Sequence, residues 1–220
     1  MPKFPTNTTA VVWDFNGTIL NDVDLAANAV NVMLRKRSLP ELSRERHRHL
    51  LCFPIADYYR ALGLDLETET HKDLADEFHE GYLAGVGSCG MNEGVPELLD
   101  AFRQANIAQY VLSAAEESML LSWVRLLGIE SCFDGVYGLT DRLAGSKTDR
   151  GRDLMNTHGL DPKTTLLIGD TDHDAEVAAA LGCHPVIVLQ GHQTRDRING
   201  IPCTIFETFA DLKHVLAAAG

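Results

Sequence analysis

The chain has 220 residues, 45% apolar and 23% charged, with a formal net charge of −12. That length suits one large domain, or a domain carrying an insert, and the composition reads as an ordinary soluble globule. The acidic balance excludes general binding to nucleic acid or to an acidic membrane surface, but not an anionic substrate held by a metal or a local basic pocket. No stretch is long and apolar enough to span a bilayer. The opening Met-Pro-Lys-Phe-Pro-Thr lacks a signal-peptide h-region, so the expected location is the cytoplasm. The five cysteines, Cys52, Cys89, Cys132, Cys183 and Cys203, are scattered and odd in number. They read as reduced packing residues, not a disulfide frame or a zinc site.

In chain order, Ala10-Val-Val-Trp13 is a buried strand closed by Asp14, and Phe15-Asn16-Gly17-Thr18 is a tight turn. Residues 21 to 90 contain helical patterns and no convincing strand. One helix is expected from Asp22, a second over Ile55–Leu62 stopped at Gly63, and a third over Thr68–Leu83 before a glycine-rich stretch. From Gly94 onward helices and strands alternate. A helix starting near Gly94 precedes a strand over Ala108–Ser113, a helix over Glu116–Leu127 and a short strand over Gly135–Gly138. A helix over Lys147–His158, a strand over Thr165–Gly169, a helix over His173–Leu181, a strand over Pro185–Leu189 and a helix over Phe209–Ala219 complete the series. Such alternation implies an α/β fold, a doubly wound, Rossmann-like parallel sheet. The expected domains are a core of residues 1–20 and 91–220 with an all-helical cap of residues 21–90 inserted as a hinged lid over the carboxyl edge.

Ligands of open α/β sheets sit at the carboxyl ends of the strands. Asp14, Ser113, Asp170 and the start of the Lys147 helix all fall there, and Asp174 lies one helical turn beyond Asp170. Each has an ordinary reading as well: Ser113, Asp170 or Asp172 as an N-cap, Lys147 as a solvated lysine. Their convergence on one edge points to chemistry.

The set resembles the haloacid dehalogenase superfamily of hydrolases over nearly the whole chain. Asp14-Phe-Asn16-Gly17-Thr18 looks like its first motif, Ser113 its second, Lys147 its third and Gly169-Asp170-x-x-x-Asp174 its fourth. The Ile-Gly-Asp-Thr-Asp-His-Asp run and the later Gly191-His192-Gln193 look like the phosphoglycolate-phosphatase branch. The resemblance implies a Mg²⁺-dependent phosphomonoester hydrolase of a small, phosphoglycolate-like phosphorylated metabolite, acting as a monomer or homodimer. Asp14 would be the nucleophile. Mg²⁺ would be held by Asp14, the Asn16 carbonyl and Asp170, with Asp174 in support. Phosphate would be met by Ser113, Lys147 and the backbone around Phe15, Gly17, Thr18 and Ala114.

Asn16 departs from the pattern, where an Asp normally serves as general acid and then base. An amide cannot exchange a proton near neutral pH. This leaves room for a phosphotransferase or mutase, or for a catalytically weak phospho-ligand-binding protein. The basic run Arg44-Glu-Arg-His-Arg-His49 reads as a solvated helix face, or else as the group meeting a substrate's anionic end. His173 and His192 read as structural.

Overall fold

A computed structural model describes residues 7–139 and 146–219. The opening residues 1–6, read above for a leader, and Gly145 lie outside them. Among the described residues the strands are β1 (Ala10–Trp13), β2 (Ala108–Glu116), β3 (Gly135–Leu139), β4 (Thr165–Gly169), β5 (His184–Val188) and β6 (Thr204–Phe206). They form one parallel sheet in the order β3-β2-β1-β4-β5-β6. The short β6 has no counterpart in the sequence reading. Three residues after a proline carry too little alternation to announce a strand.

Helices α1 (Val23–Lys36), α2 (Arg44–Leu50), α3 (Ile55–Ala61) and α4 (His71–Leu83) fill the segment between β1 and the rest of the sheet. Then come α5 (Val95–Gln104), α6 (Glu117–Leu126), α7 (Lys147–His158), α8 (Asp172–Leu181), α9 (Arg195–Ile198) and α10 (Phe209–Ala219). Strand β1 is buried throughout and its side chains alternate between faces. Val11 and Trp13 join a cluster with Leu98, Phe102, Val124 and Phe209 from α5, α6 and α10. Ala10 and Val12 join a second cluster with Leu154 of α7 and Val177 of α8 on the other face. The sheet is thus covered on both sides, as right-handed crossovers require. The indole of Trp13 donates to Gln109 Oε1 at 3.1 Å, and the Gln109 amide donates to Leu99 O at 3.0 Å, so the buried polar atoms of this layer are paired.

Helices α1 to α4 have apolar contacts of their own: Val30, Met33 and Leu34 of α1 pack with Leu51, Tyr58, Tyr59 and Leu74. The segment leaves and rejoins the core at one place. Asn21 N–H donates to Gly90 O at 2.9 Å, and Leu20 bridges Met91. A second attachment lies on α2. The Arg48 guanidinium donates to the carbonyls of Gly191 (2.7 Å), Leu189 (2.7 Å) and Gln193 (3.0 Å). Gln193 returns an amide bond to Leu51 O at 3.1 Å.

The basic run is therefore split. Arg44, Arg46 and His49 are exposed, as a solvated face would be, but Arg48 is half-buried and His47 fully buried. Arg48 directs its Nε and Nη2 donors at the loop after β5. Replacing Arg48 by Ala removes the donors of three carbonyls at once. We expect Arg48→Ala to lower unfolding free energy by about 1–3 kcal/mol in urea titrations, against less than about 0.5 kcal/mol for exposed Arg46→Ala. Equal effects would refute the attachment.

Candidate active site

The strand order reverses direction at β1, with β2 on one side and β4 on the other. This is the switch point where an open α/β sheet forms a crevice at its carboxyl edge. Asp14 follows β1 and Asp170 follows β4, so the two carboxylates flank that crevice. Lys147 is the first residue of α7, whose start is fixed by a capping box between Ser146 and Asp149. Asp174 sits in the first turn of α8. There Thr171 caps the helix and Asp174 completes a second capping box, so the capping roles open to Asp170 and Asp172 fall to Thr171.

The carboxylates of Asp14, Asp170 and Asp174 all lie within 4.8 Å of one another and are buried. Lys147 bridges two of them, donating to Asp14 Oδ1 and to Asp174 Oδ1. The other oxygen of Asp174 accepts from the backbone of Asp170 (3.2 Å) and Thr171 (3.0 Å) and from the Thr171 hydroxyl (2.7 Å). Burial pushes the Asp14 carboxyl up to about 6, with Lys147 pulling it down and Asp174 raising it further. Burial lifts Asp170 to about 7, opposed by His192 and reinforced by Asp174 and Asp14. Burial acts the same way on Asp174, but Lys147 outweighs it and holds that carboxyl below its usual range. Burial works against the Lys147 charge, but its two carboxylate partners keep the ammonium well above the ordinary lysine range.

Asp170 is positioned from three sides. Thr18 Oγ1 donates to Oδ1 at 2.8 Å, and the His192 backbone N–H donates to Oδ2 at 2.6 Å. Gly17 and Gly191 leave it room: a Cβ on either would come within 2.4 or 2.2 Å of the Asp170 side chain, and Gly17 has a φ of +77° besides. Thr18 is fully buried with its hydroxyl on Asp170, so what it can offer a phosphate is its backbone. Asn92 was missed in the sequence. Its amide donates to the carbonyls of Gly17 and Thr18 at 2.7 and 2.9 Å, holding the turn after β1 in shape.

Ser113, Ala114 and Lys147 line a cavity of about 430 Å³ together with Asp14 and Asn16. Ser113 does not end its strand. β2 runs on to Glu116, with its pairing to β3 interrupted between Leu112 and Glu116. Ser113 Oγ accepts from Ala115 N–H at 3.0 Å. The Phe15 side chain turns into the core and stacks near Trp123, which leaves its backbone N–H, bonded to Asp14, as its contribution to the site.

Asn16 is held in a network that sequence gave no way to foresee. Its amide donates to Asp22 Oδ2 at 3.0 Å and to Tyr82 Oη at 2.7 Å, and the Tyr82 hydroxyl also donates to Asp22. Asp22 Oδ1 accepts from Gly17 N–H at 2.8 Å and from His192 Nε2 at 3.0 Å. Burial alone would raise the Asp22 carboxyl, but His192, Tyr82 and Asn16 outweigh it and keep it below its usual range. Burial disfavours the His192 charge, yet Asp22 and the nearby carboxylates lift it to about 9. His192, read from sequence as structural, is a buried cation of the site. His47 of α2 lies 3.3 Å from its other ring nitrogen and bonds Tyr58 at 2.7 Å. Burial, reinforced by the His192 charge, pushes His47 down to about 3.

All donors at the carboxylate cluster are oxygens, which suits a hard divalent cation such as Mg²⁺. Among the described residues, four buried carboxylates (Asp14, Asp22, Asp170, Asp174) face two buried cations (Lys147, His192) at this edge. When all are ionised, the surplus is two negative charges, which one divalent cation offsets.

A sequence model of the haloacid dehalogenase-like hydrolases matches residues 11–188. The tyrosine-protein kinase PtkA of Mycobacterium tuberculosis is 26% identical over 213 residues, covering 96% of this chain and 72% of that protein. A phosphoglycolate phosphatase of Nitrosospira multiformis is 27% identical over 208 residues, with 91% of each chain covered. Among solved structures, the haloacid dehalogenase-like protein SP0104 of Streptococcus pneumoniae superposes with a TM-score of 0.80 at 21% identity, covering 96% of this chain and 99% of that one.

The two histidines at this edge give stability opposite pH dependences. The His192 contribution is fully present below about pH 6.5 and is lost as pH rises towards 9. His47 remains neutral in the folded protein down to about pH 3, whereas the unfolded chain protonates it below 6.5. Its effect is a loss of stability on acidification, about 2 kcal/mol between pH 7 and pH 5. Urea unfolding at both pH values should show His47→Gln gaining on the wild type by that amount. A difference independent of pH would refute the buried neutral imidazole.

Proposed function

Because the chain belongs to the haloacid dehalogenase-like hydrolase family, we propose that it is a Mg²⁺-dependent phosphomonoester hydrolase of small phosphorylated metabolites. Asp14 is its nucleophile and residues 21–90 are its cap. The observation that carries the reading is the buried Asp14–Lys147–Asp174 arrangement beside Asp170 at the switch point of the sheet.

Asp14 attacks phosphorus and displaces the leaving oxygen, forming an aspartyl phosphate that water then hydrolyses. Lys147 keeps Asp14 ionised and aims one of its oxygens, so the other is free to attack. Ser113 and the backbone N–H groups around Phe15, Thr18 and Ala114 hydrogen-bond the phosphoryl oxygens, whereas the Gly17 N–H is held by Asp22 and Leu20. Asp14, the Asn16 carbonyl and Asp170 would hold the metal, with Asp174 in support. Bound there, Mg²⁺ supplies positive charge that offsets the repulsion between carboxylate and phosphate. The relatives named phosphatases support the hydrolytic reading.

Asn16 favours a second reading, phosphoryl transfer. With no base at that position to activate water, the phosphoenzyme lives longer and another acceptor can take the group. The kinase name of the mycobacterial relative is in keeping with it. Release of inorganic phosphate from the isolated phosphoenzyme separates the two.

Asp14→Asn should abolish turnover with the fold intact, and acid-quenched wild type should carry a phosphoryl group on the Asp14 peptide. An Asp14→Ala variant keeping more than about a tenth of the activity would overturn the covalent route. Asp170→Ala should need far more Mg²⁺ for half-maximal rate, and a chelator-treated enzyme running at full rate would remove the metal from the mechanism.

Asn16→Asp places a carboxyl group against Asp22. Two carboxylates at that separation share one proton, so one of them becomes a weak acid able to donate it. Alkyl phosphates need protonation on leaving far more than aryl phosphates do. The ratio of alkyl to aryl rates at saturation should therefore rise about tenfold or more in Asn16→Asp. An unchanged ratio would show that another group already supplies the proton.

A further inference from the structure

The cavity above Asp14 has a polar floor and a mostly apolar roof. The floor is Asp14, Ser113 and Lys147. The roof comes from four pieces of the helical segment: Val30 of α1, Leu51 and Phe53 after α2, Ile55 of α3, and Ala75 and Phe78 of α4, with His47, Tyr58 and Tyr59 lining it as well. Phe53 also packs on the ring of His173, at 5.1 Å, which closes the wall on the core side.

Lys147 is the one lysine or arginine among the described residues that lines this cavity, and both of its carboxylate partners hold it. Arg48 is committed to three backbone carbonyls. Lys72 borders the adjoining, wider cavity, where it is largely exposed and paired with Asp76 at 2.5 Å. The His192 cation belongs to Asp22. A leaving group carrying its own carboxylate, as phosphoglycolate does, would lose hydration here against hydrocarbon and aromatic surface, with no lysine or arginine besides Lys147 to receive it. An aromatic ring would bury its faces against the same wall and present its edge to Phe78 and Phe53. Two exposed histidines, His71 and His79, border the open side and can meet a polar ring substituent.

We infer that, within the hydrolase reading on which this rests, the preferred substrate is a small aryl phosphate with an uncharged ring, not a phosphorylated carboxylic acid. Asn16 supports the same class independently. Its amide is already engaged by Asp22 and Tyr82 and has no proton to give. A phenol leaves without one: the bond from phosphorus to the ring oxygen breaks as the bond to Asp14 forms, and the electron pair stays on the phenolate. Water then adds its oxygen to phosphorus and releases Asp14. One of its protons remains on phosphate and the other neutralises the phenolate.

The test compares kcat/KM of the Mg²⁺-loaded wild type on phenyl phosphate, 2-phosphoglycolate and acetyl phosphate, the last a good leaving group without a ring. Phenyl phosphate should exceed 2-phosphoglycolate at least tenfold. Ala75→Arg, which brings a guanidinium to the roof from a half-buried helical position, should reduce that preference at least tenfold. Phe53→Ala should raise KM for phenyl phosphate several-fold more than KM for acetyl phosphate. A wild type that prefers 2-phosphoglycolate overturns the inference alone. Turnover of none of the three overturns the hydrolase reading and the inference with it.

Discussion

Three carboxylates share one buried edge of the sheet, and much of the surrounding architecture keeps them there. Left alone, Asp14, Asp170 and Asp174 would repel one another and seek water or protons. Burial already pushes two of them towards neutral pH. Lys147 ties Asp14 to Asp174, and the backbone N–H groups of Asp170 and Thr171 donate to the other oxygen of Asp174. Asp170 has no lysine, so it depends on Thr18, on the His192 backbone and on the absence of side chains at Gly17 and Gly191. The contacts of Lys147, Thr18 and His192 join separate elements of the core. The cluster is consequently a fastening between β1, β4, α7 and α8 only while its charge is balanced.

The second layer of that balance reaches into the helical segment. Asp22 is the N-cap residue of α1, yet its side chain makes no cap bond. It serves instead as acceptor for Asn16, Gly17, Tyr82 and His192. The helix therefore begins on the wall of the site. Its packing is coupled to the electrostatics of the sheet edge through one carboxylate. His47 extends the coupling to α2, and Arg48 fixes the same helix to the loop carrying His192. The position of the helical segment over the edge is in this way specified by buried polar groups, which tolerate fewer alternative arrangements than apolar packing does.

The parallel sheet and its helices were legible in the sequence because β1, β2, β4 and β5 are short apolar runs closed by glycine or a polar residue. The helices after Gly94 show the 3.6-residue period and end at Gly128, Gly159 and Gly182. Asp14, Lys147, Asp170 and Asp174 could be named since each sits at a junction between elements. Asp22, Tyr82 and Asn92 could not, and His192 was named without its bond to Asp22. They lie 5 to 170 residues from the atoms they bond, and nothing in local periodicity marks such a partner. The basic run 44–49 shows the limit most clearly. Composition treats its three arginines and two histidines alike, whereas one turn of helix decides which face water and which are buried at the seam.

Asn16 then ceases to look like a simple loss. Four carboxylates against two cations leave a surplus that a single divalent ion removes. A carboxyl group at position 16, where the amide nitrogen lies 3.0 Å from Asp22 Oδ2, would have to share a proton with Asp22 or repel it. The amide replaces repulsion with two donated hydrogen bonds and secures the turn that carries Asp14. The proton it cannot give restricts the chemistry to leaving oxygens that bear negative charge well. A mostly apolar roof that carries no lysine or arginine favours leaving groups that arrive without charge. A phenol satisfies both conditions, neutral as bound in its ester and stable as an anion once displaced, so the charge balance at the floor and the apolar lining above it select the same kind of molecule.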